Sequence, residues 1–292
     1  MEPLRHVAAD GAVIAYRRRR AIHGNSRPPL VLIHGAASNM TRWAEFSEIT
    51  NLGEAHDLLR LDLRGHGGSL YRGAVSLEIW CDDIAAVLHR ESIGRAILIG
   101  HCLGANIASL FALRYPQHTA GLVLVEPMPS GALKPKLKSV RLILPLLRTA
   151  AALLLFCNRL GFYRRRLRPL DLRALDAELR PHLGTPDEEK FLSQRYGSPW
   201  QDIKTTPSAV FLQDILQVLR PLPWAQVSGP MLVLISSGQG FVEVAATRAL
   251  LAHAPYAEVQ TIHAEHWIPA ERPREMQQAI ERWVTARDWA AT

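Results

Sequence analysis

The 292-residue sequence predicts an α/β fold, a mostly parallel sheet flanked by helices with one helical insertion, and three observations carry that prediction. Short apolar runs alternate with amphipathic helical stretches, the pattern of parallel strands joined by crossovers. One such run turns abruptly into a helix through Gly100-His101-Cys102-Leu103-Gly104. The alternation stops at Met128 and resumes after Val227. A chain of this length buries a substantial core, so folding requires neither a disulfide nor a metal staple.

Taken in order, His6 to Tyr16 reads as two strands around the Asp10-Gly11 turn, a strong hairpin signal and hence an antiparallel edge. Pro29 to Ile33 is a continuous apolar run stopping at His34-Gly35, as a strand buried on both faces does. Leu58 to Leu63 follows, ending in Arg64-Gly65-His66-Gly67-Gly68. Leu77, Trp80, Ile84, Val87 and Leu88 have helical spacing within Ser76 to His89. Ala96 to Ile99 is a strand, Leu103 to Tyr115 a helix stopped by Pro116, and Gly121 to Val125 a strand ending at Glu126. After the interruption come a strand at Met231 to Ile235, a helix near Val242 to His253, a strand at Glu258 to Ile262 and a helix from Arg272 to Ala286.

This organisation assigns residues 1–127 and 228–292 to one α/β core and residues 128–227 to a helical cap over the active site. The cap shows helical runs at Leu142 to Cys157 and Ala209 to Leu219, separated by proline-containing turns, with no internal repeat. Net charge is +7, and the cap alone carries 16 Lys or Arg against eight Asp or Glu, so its +8 leaves the rest of the chain at −1. Such a patch suits docking of an acidic acyl or peptidyl carrier protein, and equally a solvated arginine-rich face. Arg164-Arg165-Arg166 comes with no nucleic-acid-binding motif, so no nucleic-acid partner is expected.

The N-terminus lacks the basic start and apolar run of a secretory signal. Leu142 to Cys157 reads as shorter than a membrane span and interrupted by Pro145 and Arg148, so no stable span is expected. Cys81, Cys102 and Cys157 lie far apart, and no Cys/His group has zinc-site spacing. The expectation is a soluble cytoplasmic protein without metal or cofactor.

The chemistry centres on Cys102. Its pentapeptide has the G-x-S-x-G form of a nucleophile elbow with cysteine for serine, and composition alone produces such a match on the order of once in a hundred chains. The strand-to-helix turn strains the central residue, and side chains two positions either way collide, hence the glycines. A helix N-terminus stabilises a thiolate through its dipole and free amide hydrogens. The alternative is a structural cysteine, as Cys81 and Cys157 are read. The N–H groups of Leu103 and Ala36 are candidate oxyanion donors. His34 is read as a residue that orders its loop, and His263 and His266 compete for the base.

Pro29 to Gly35, Asp62 to Ser69, the elbow and Glu265-His266-Trp267-Ile268-Pro269-Ala270-Glu271-Arg272-Pro273 together resemble the α/β-hydrolase superfamily over nearly the whole chain outside the cap. That resemblance implies an eight-stranded sheet and selects His266, which matches a G-H-x-x-x-x-E-R-P ending except that Glu265 replaces glycine. Family members usually carry Asp after the strand corresponding to Met231 to Ile235, where this chain has Ser236-Ser237-Gly238-Gln239-Gly240. Others place the acid one strand earlier, and there Glu126 is the candidate that orients His266, with Glu243 as its rival and a loop-end surface charge as the alternative.

Within the superfamily, the cysteine elbow and the early acid resemble the Dieckmann cyclases that release tetramate or pyridone products in polyketide–nonribosomal peptide biosynthesis. The resemblance implies acyl transfer from a small-molecule or carrier-tethered substrate to Cys102, then ring closure. Two alternatives stay open: a thioesterase or ester and lactone hydrolase with a Cys-His-Glu triad, and a non-catalytic ligand receptor on the same fold.

Overall fold

A computed structural model of the chain describes residues 2–24, 27–135, 139–238, 240–252 and 256–289. Strands β1 Leu4–Ala9, β2 Ala12–Arg19, β3 Leu30–Ile33, β4 Leu58–Leu61, β5 Ala96–His101, β6 Thr119–Val125, β7 Met231–Ser236 and β8 Ala257–Ile262 form one sheet. It is eight-stranded, in the order β1-β2-β4-β3-β5-β6-β7-β8. The hairpin β1–β2 and the β2–β4 pair are antiparallel, and every other pair is parallel. The expected fold class is therefore the observed one.

The helices are α1 Ala44–Ile49, α2 Leu77–Arg90, α3 Leu103–Arg114, α4 Leu144–Arg159, α5 Leu172–Leu179, α6 Glu188–Arg195, α7 Pro199–Thr205, α8 Ser208–Val218, α9 Val244–Leu251, α10 Ile268–Glu271 and α11 Pro273–Thr285. Successive strand residues point to opposite faces, so β3 serves two cores at once. Val31 and Ile33 pack with Trp80 of α2 and Phe111 of α3. Leu30 and Leu32 pack with Trp43, Phe46 and Trp283 on the other side. Burying each of these side chains contributes about 1.5–3 kcal/mol, which explains why the central strands are apolar throughout.

Between β6 and β7 the described residues form five α-helices, α4 to α8, where the sequence shows two clear helical runs. The short helices α5, α6 and α7 are charged and interrupted by Pro181, Pro186 and Pro199, which hides their period. The first run also differs from expectation. A 3-10 turn leads directly into α4, giving a helical stretch Ser139–Arg159 of 21 residues, long and apolar enough by length and composition to cross a membrane. Pro145 lies in the first turn of α4, where its missing N–H breaks no bond, so it does not interrupt the helix.

Buried polar links hold this segment to the sheet. Arg42 donates to both oxygens of Asp176 on α5 at 2.8 and 2.9 Å, and Tyr196 donates its hydroxyl hydrogen to the same carboxylate at 2.6 Å. His66 and the N–H of Ala37 meet Asp214 of α8 at 2.9 and 3.1 Å. His253, expected at the end of a helix, and Gln239, in the stretch where family members usually carry Asp, lie outside the described residues.

Candidate active site

The pentapeptide of the elbow joins β5 to α3 directly, and Cys102 sits between them at φ 53°, ψ −114°. That left-handed backbone costs a non-glycine residue about 1–3 kcal/mol, so it persists only where the surroundings impose it. They do: a Cβ on Gly100 would overlap the carbonyl of Gly104, and one on Gly104 would overlap the carbonyls of Ile33 and His34. Asn106 braces the helix start, donating to the carbonyls of Met128 and Val218 at 3.3 and 3.4 Å and accepting from the Met128 N–H at 3.0 Å. Cys102 is half-buried and faces the main cavity, whereas Cys81 is fully buried with its thiol pushed up by that burial.

His266 lies between β8 and α10, and its loop is ordered by one carboxylate. Glu271 accepts from the N–H groups of Glu265, His266 and Trp267 at 2.8, 3.2 and 2.8 Å. The glutamate of the Glu271-Arg272-Pro273 ending thus has a physical duty that pattern matching leaves unstated. His266 is buried between Phe241 and Trp267, with ring centroids at 4.4 and 5.5 Å.

Glu126 meets His266 directly. Its Oε2 is 2.9 Å from His266 Nδ1, and its Oε1 accepts the N–H of Ser236 at the end of β7. Glu126 is fully buried and, like Cys102, has a positive φ, 51°, immediately after its strand. With Nδ1 engaged, Nε2 is the ring nitrogen left to exchange a proton with Cys102, which lies near enough to His266 to help raise it. Glu126 and His266 are thus joined by a hydrogen bond, and His266 and Cys102 line the same cavity.

The remaining candidates separate from that group. Glu243 is exposed at the start of α9 and makes no hydrogen bond to His266 among the described residues. His263 is exposed and pairs with Ser237 Oγ at 3.2 Å. His34 is buried, lies 2.8 Å from the carbonyl of Gly35 and accepts the N–H of Leu63 at 3.0 Å, a loop-ordering arrangement. Burial first, and the neighbouring His66 second, hold it neutral well below the usual histidine range. Leu103 is the first residue of α3, where an amide hydrogen has no intrahelical acceptor, and Ala36 lines the cavity beside Cys102.

Burial disfavours the His266 imidazolium, but hydrogen bonds and charge from Cys102 and Glu126 outweigh it and lift the group to about 10. A raised histidine stabilises the fold fully below its unfolded value, near 6.5, and that stabilisation is lost as pH rises through about 10. In Glu126→Gln one source of the lift is gone. The His266 ring resonances, followed by NMR, are then expected to titrate well below the wild-type midpoint, and an unchanged midpoint would contradict the coupling.

The cavity above Cys102 has a volume of about 470 Å³. Its wall is mostly apolar, and Leu147, Leu172, Arg195, Asp202 and Ile215 bring in each of α4 to α8. Two polar features there carry no motif. Ser38 Oγ is buried without a hydrogen-bond partner among the described residues, and Asp202 is pushed up to about 7 by burial and by the charge of Asp214. Asp202 escapes a sequence reading because α7 itself does.

The family model described as the alpha/beta hydrolase fold matches residues 28–273. The chain belongs to that family. Members of the alpha/beta hydrolase family are enzymes, and the relatives of this chain carry hydrolase and acyl-transfer names. A Saccharomyces cerevisiae protein named "Probable alcohol acetyltransferase" is 25% identical over 281 residues, 89% of this chain and 78% of that protein. The sn-1-specific diacylglycerol lipase ABHD11 of Danio rerio is 27% identical over 84% of this chain and 74% of its own. Among solved structures, a thermophilic esterase from Thermogutta terrifontis matches with a TM-score of 0.69 at 23% identity, covering 97% of this chain and 98% of that one, a likeness of fold.

Proposed function

We propose that this alpha/beta hydrolase is a cysteine-nucleophile acyl-transfer enzyme that forms a thioester on Cys102 and releases the acyl group by Dieckmann-type ring closure. The observation that carries the reading is the buried His266–Glu126 pair beside Cys102, with His266 and Cys102 facing one apolar cavity. Here Cys102 is the nucleophile, His266 the proton carrier and Glu126 the group that fixes its tautomer. The N–H groups of Leu103 and Ala36 hold the oxyanion, and residues 128–227 act as the lid.

In the first step Cys102 Sγ forms a bond to the acyl carbon of a carrier-bound or small-molecule thioester. The leaving thiol departs with a proton from His266, and one thioester is exchanged for another at little cost. His266 then takes the acidic proton between two carbonyls of the acyl chain. The resulting carbanion forms a C–C bond at the thioester carbon, and the C–S bond breaks to return the Cys102 thiolate. An apolar lid favours this outcome by excluding water, whereas admitted water gives a free acid. The lipase and esterase names of the relatives favour that second outcome, hydrolysis, on the same acyl-enzyme.

The test is incubation with the N-acetylcysteamine thioester of a β-ketoacyl amino acid amide in ¹⁸O-water, read by intact-protein and product mass. The expected result is an acyl adduct on Cys102 and an unlabelled cyclic product. A labelled acid assigns hydrolysis, and a protein that never acquires an adduct overturns the acyl-transfer reading.

A further inference from the structure

Helix α4 is apolar on two sides. Val140, Ile143 and Leu147, on or just ahead of it, line the cavity, and Ala151 is buried. The opposite side carries Leu142, Leu146, Leu153, Phe156 and Leu160, spaced three, four or seven apart along one stripe and 84, 67, 61, 57 and 57% exposed. Only 6% of the most apolar stretch of this helix is buried. A helix hydrophobic all round belongs in a core or in lipid, and water is a costly neighbour for either face.

The charge around this stripe has one sign. No Asp or Glu occurs between Glu126 and Asp171, while Arg141, Arg148, Arg159, Arg164, Arg165, Arg166 and Arg168 are exposed there and form no salt bridge among the described residues. Exposed Phe162 and Trp200 extend the apolar surface beside the arginine run.

We propose that α4 and the basic turn after it are a docking surface for an anionic lipid bilayer, with the helix lying in the plane of the interface. An apolar stripe the length of the helix, rimmed by arginines, is the composition that interfacial helices use. Spanning is excluded by how the ends are tied. Arg141 donates to the Ser130 carbonyl at 2.6 Å, Asn158 donates to the Arg72 carbonyl at 2.7 Å, and Arg72 lies 4.4 Å over the Tyr163 ring. Both ends are therefore held against the same body, which a bilayer about 30 Å thick cannot separate. An acidic carrier protein would satisfy the arginines but leaves a stripe of roughly 24 Å, at 1.5 Å per residue, without a flat apolar counterpart. Resting on the acyl-transfer reading, docking sets the cavity beside membrane-dissolved acyl chains.

The test is flotation of the full chain with phosphatidylcholine vesicles and with phosphatidylcholine–phosphatidylglycerol vesicles at low and high salt. Expected are flotation with the anionic vesicles, weakening with salt, and little with phosphatidylcholine alone. Leu146→Glu with Phe156→Glu removes it, and Arg164→Ala with Arg165→Ala and Arg166→Ala weakens it by roughly tenfold or more. Leu146 and Phe156 do not line the cavity, so adduct formation on Cys102 persists in that variant and reports its folding. Wild-type protein that stays with neither vesicle, or that instead binds an acidic carrier protein or its own copy through the same residues, overturns the proposal. Wild-type protein that floats with anionic vesicles but never acquires an adduct would condemn the acyl-transfer reading alone.

Discussion

Cys102→Ala is expected to abolish both adduct formation and turnover, by on the order of 10⁴-fold or more, while leaving the fold intact. The side chain faces the cavity and packs only against the edge of one core, so its loss opens little void. The strained backbone at φ 53° is retained by alanine, so stability changes little, whereas Cys102→Gly should relieve about 1 kcal/mol of strain while being equally inactive. Cys102→Ser separates chemistry from shape: it keeps an oxygen nucleophile, but one far less acidic than a thiol and so dependent on neutral His266 as its base, while removing the contribution of Cys102 to the lift of that imidazole. Residual activity in the serine variant should therefore be far below wild type and rise with pH. Intact-protein mass and initial rates decide the matter, and an alanine variant that still accumulates acyl-enzyme sinks the assignment of the nucleophile.

The second large effect is structural. Gly104→Ala is expected to cost about 4 kcal/mol or prevent folding, because its Cβ would lie 2.6 Å from the carbonyl oxygen of His34 and closer still to that of Ile33. Those atoms belong to β3 and the turn after it, at the centre of the sheet, and cannot retreat without breaking parallel pairing on both sides. A control is available in Gly161, at φ +85° with nothing within 4 Å of an added Cβ, where alanine should cost only about 1 kcal/mol. Urea midpoints of the two variants measure the difference, and equal midpoints would mean that the elbow is looser than its geometry implies.

The sheet was legible because strands buried on both faces are written as short apolar runs, and those at Pro29, Ala96 and Met231 each occur in the structure within a few residues of their expected ends. The elbow was legible for a different reason: a glycine two residues either side of Cys102 is a steric demand, and steric demands appear as residue types. Glu126 was readable only through resemblance, since nothing in Val125-Glu126-Pro127 announces a fully buried carboxylate with positive φ. Helices α5 to α7 were hidden, because their place is set by single buried contacts such as Arg42 with Asp176, and pairings 134 residues apart leave no local period. Asp202 and Ser38 were hidden with them, since a polar atom without a partner is a property of surroundings.

Rooting the carboxylate in β6 has an outcome for the neighbouring strand. Ser236, the last residue of β7, offers Glu126 a main-chain hydrogen, a service any non-proline amino acid can render. The stretch that follows is thereby relieved of supplying an acid, but not of fitting: a Cβ on Gly238 or Gly240 would run into Ala264 or Glu265, the residues that lead into His266. Phe241, edge-on against that ring, closes the same rim. Bulk gained on this side is therefore felt by the imidazole, so the choice of acyl chain has to be made on the opposite, helical wall.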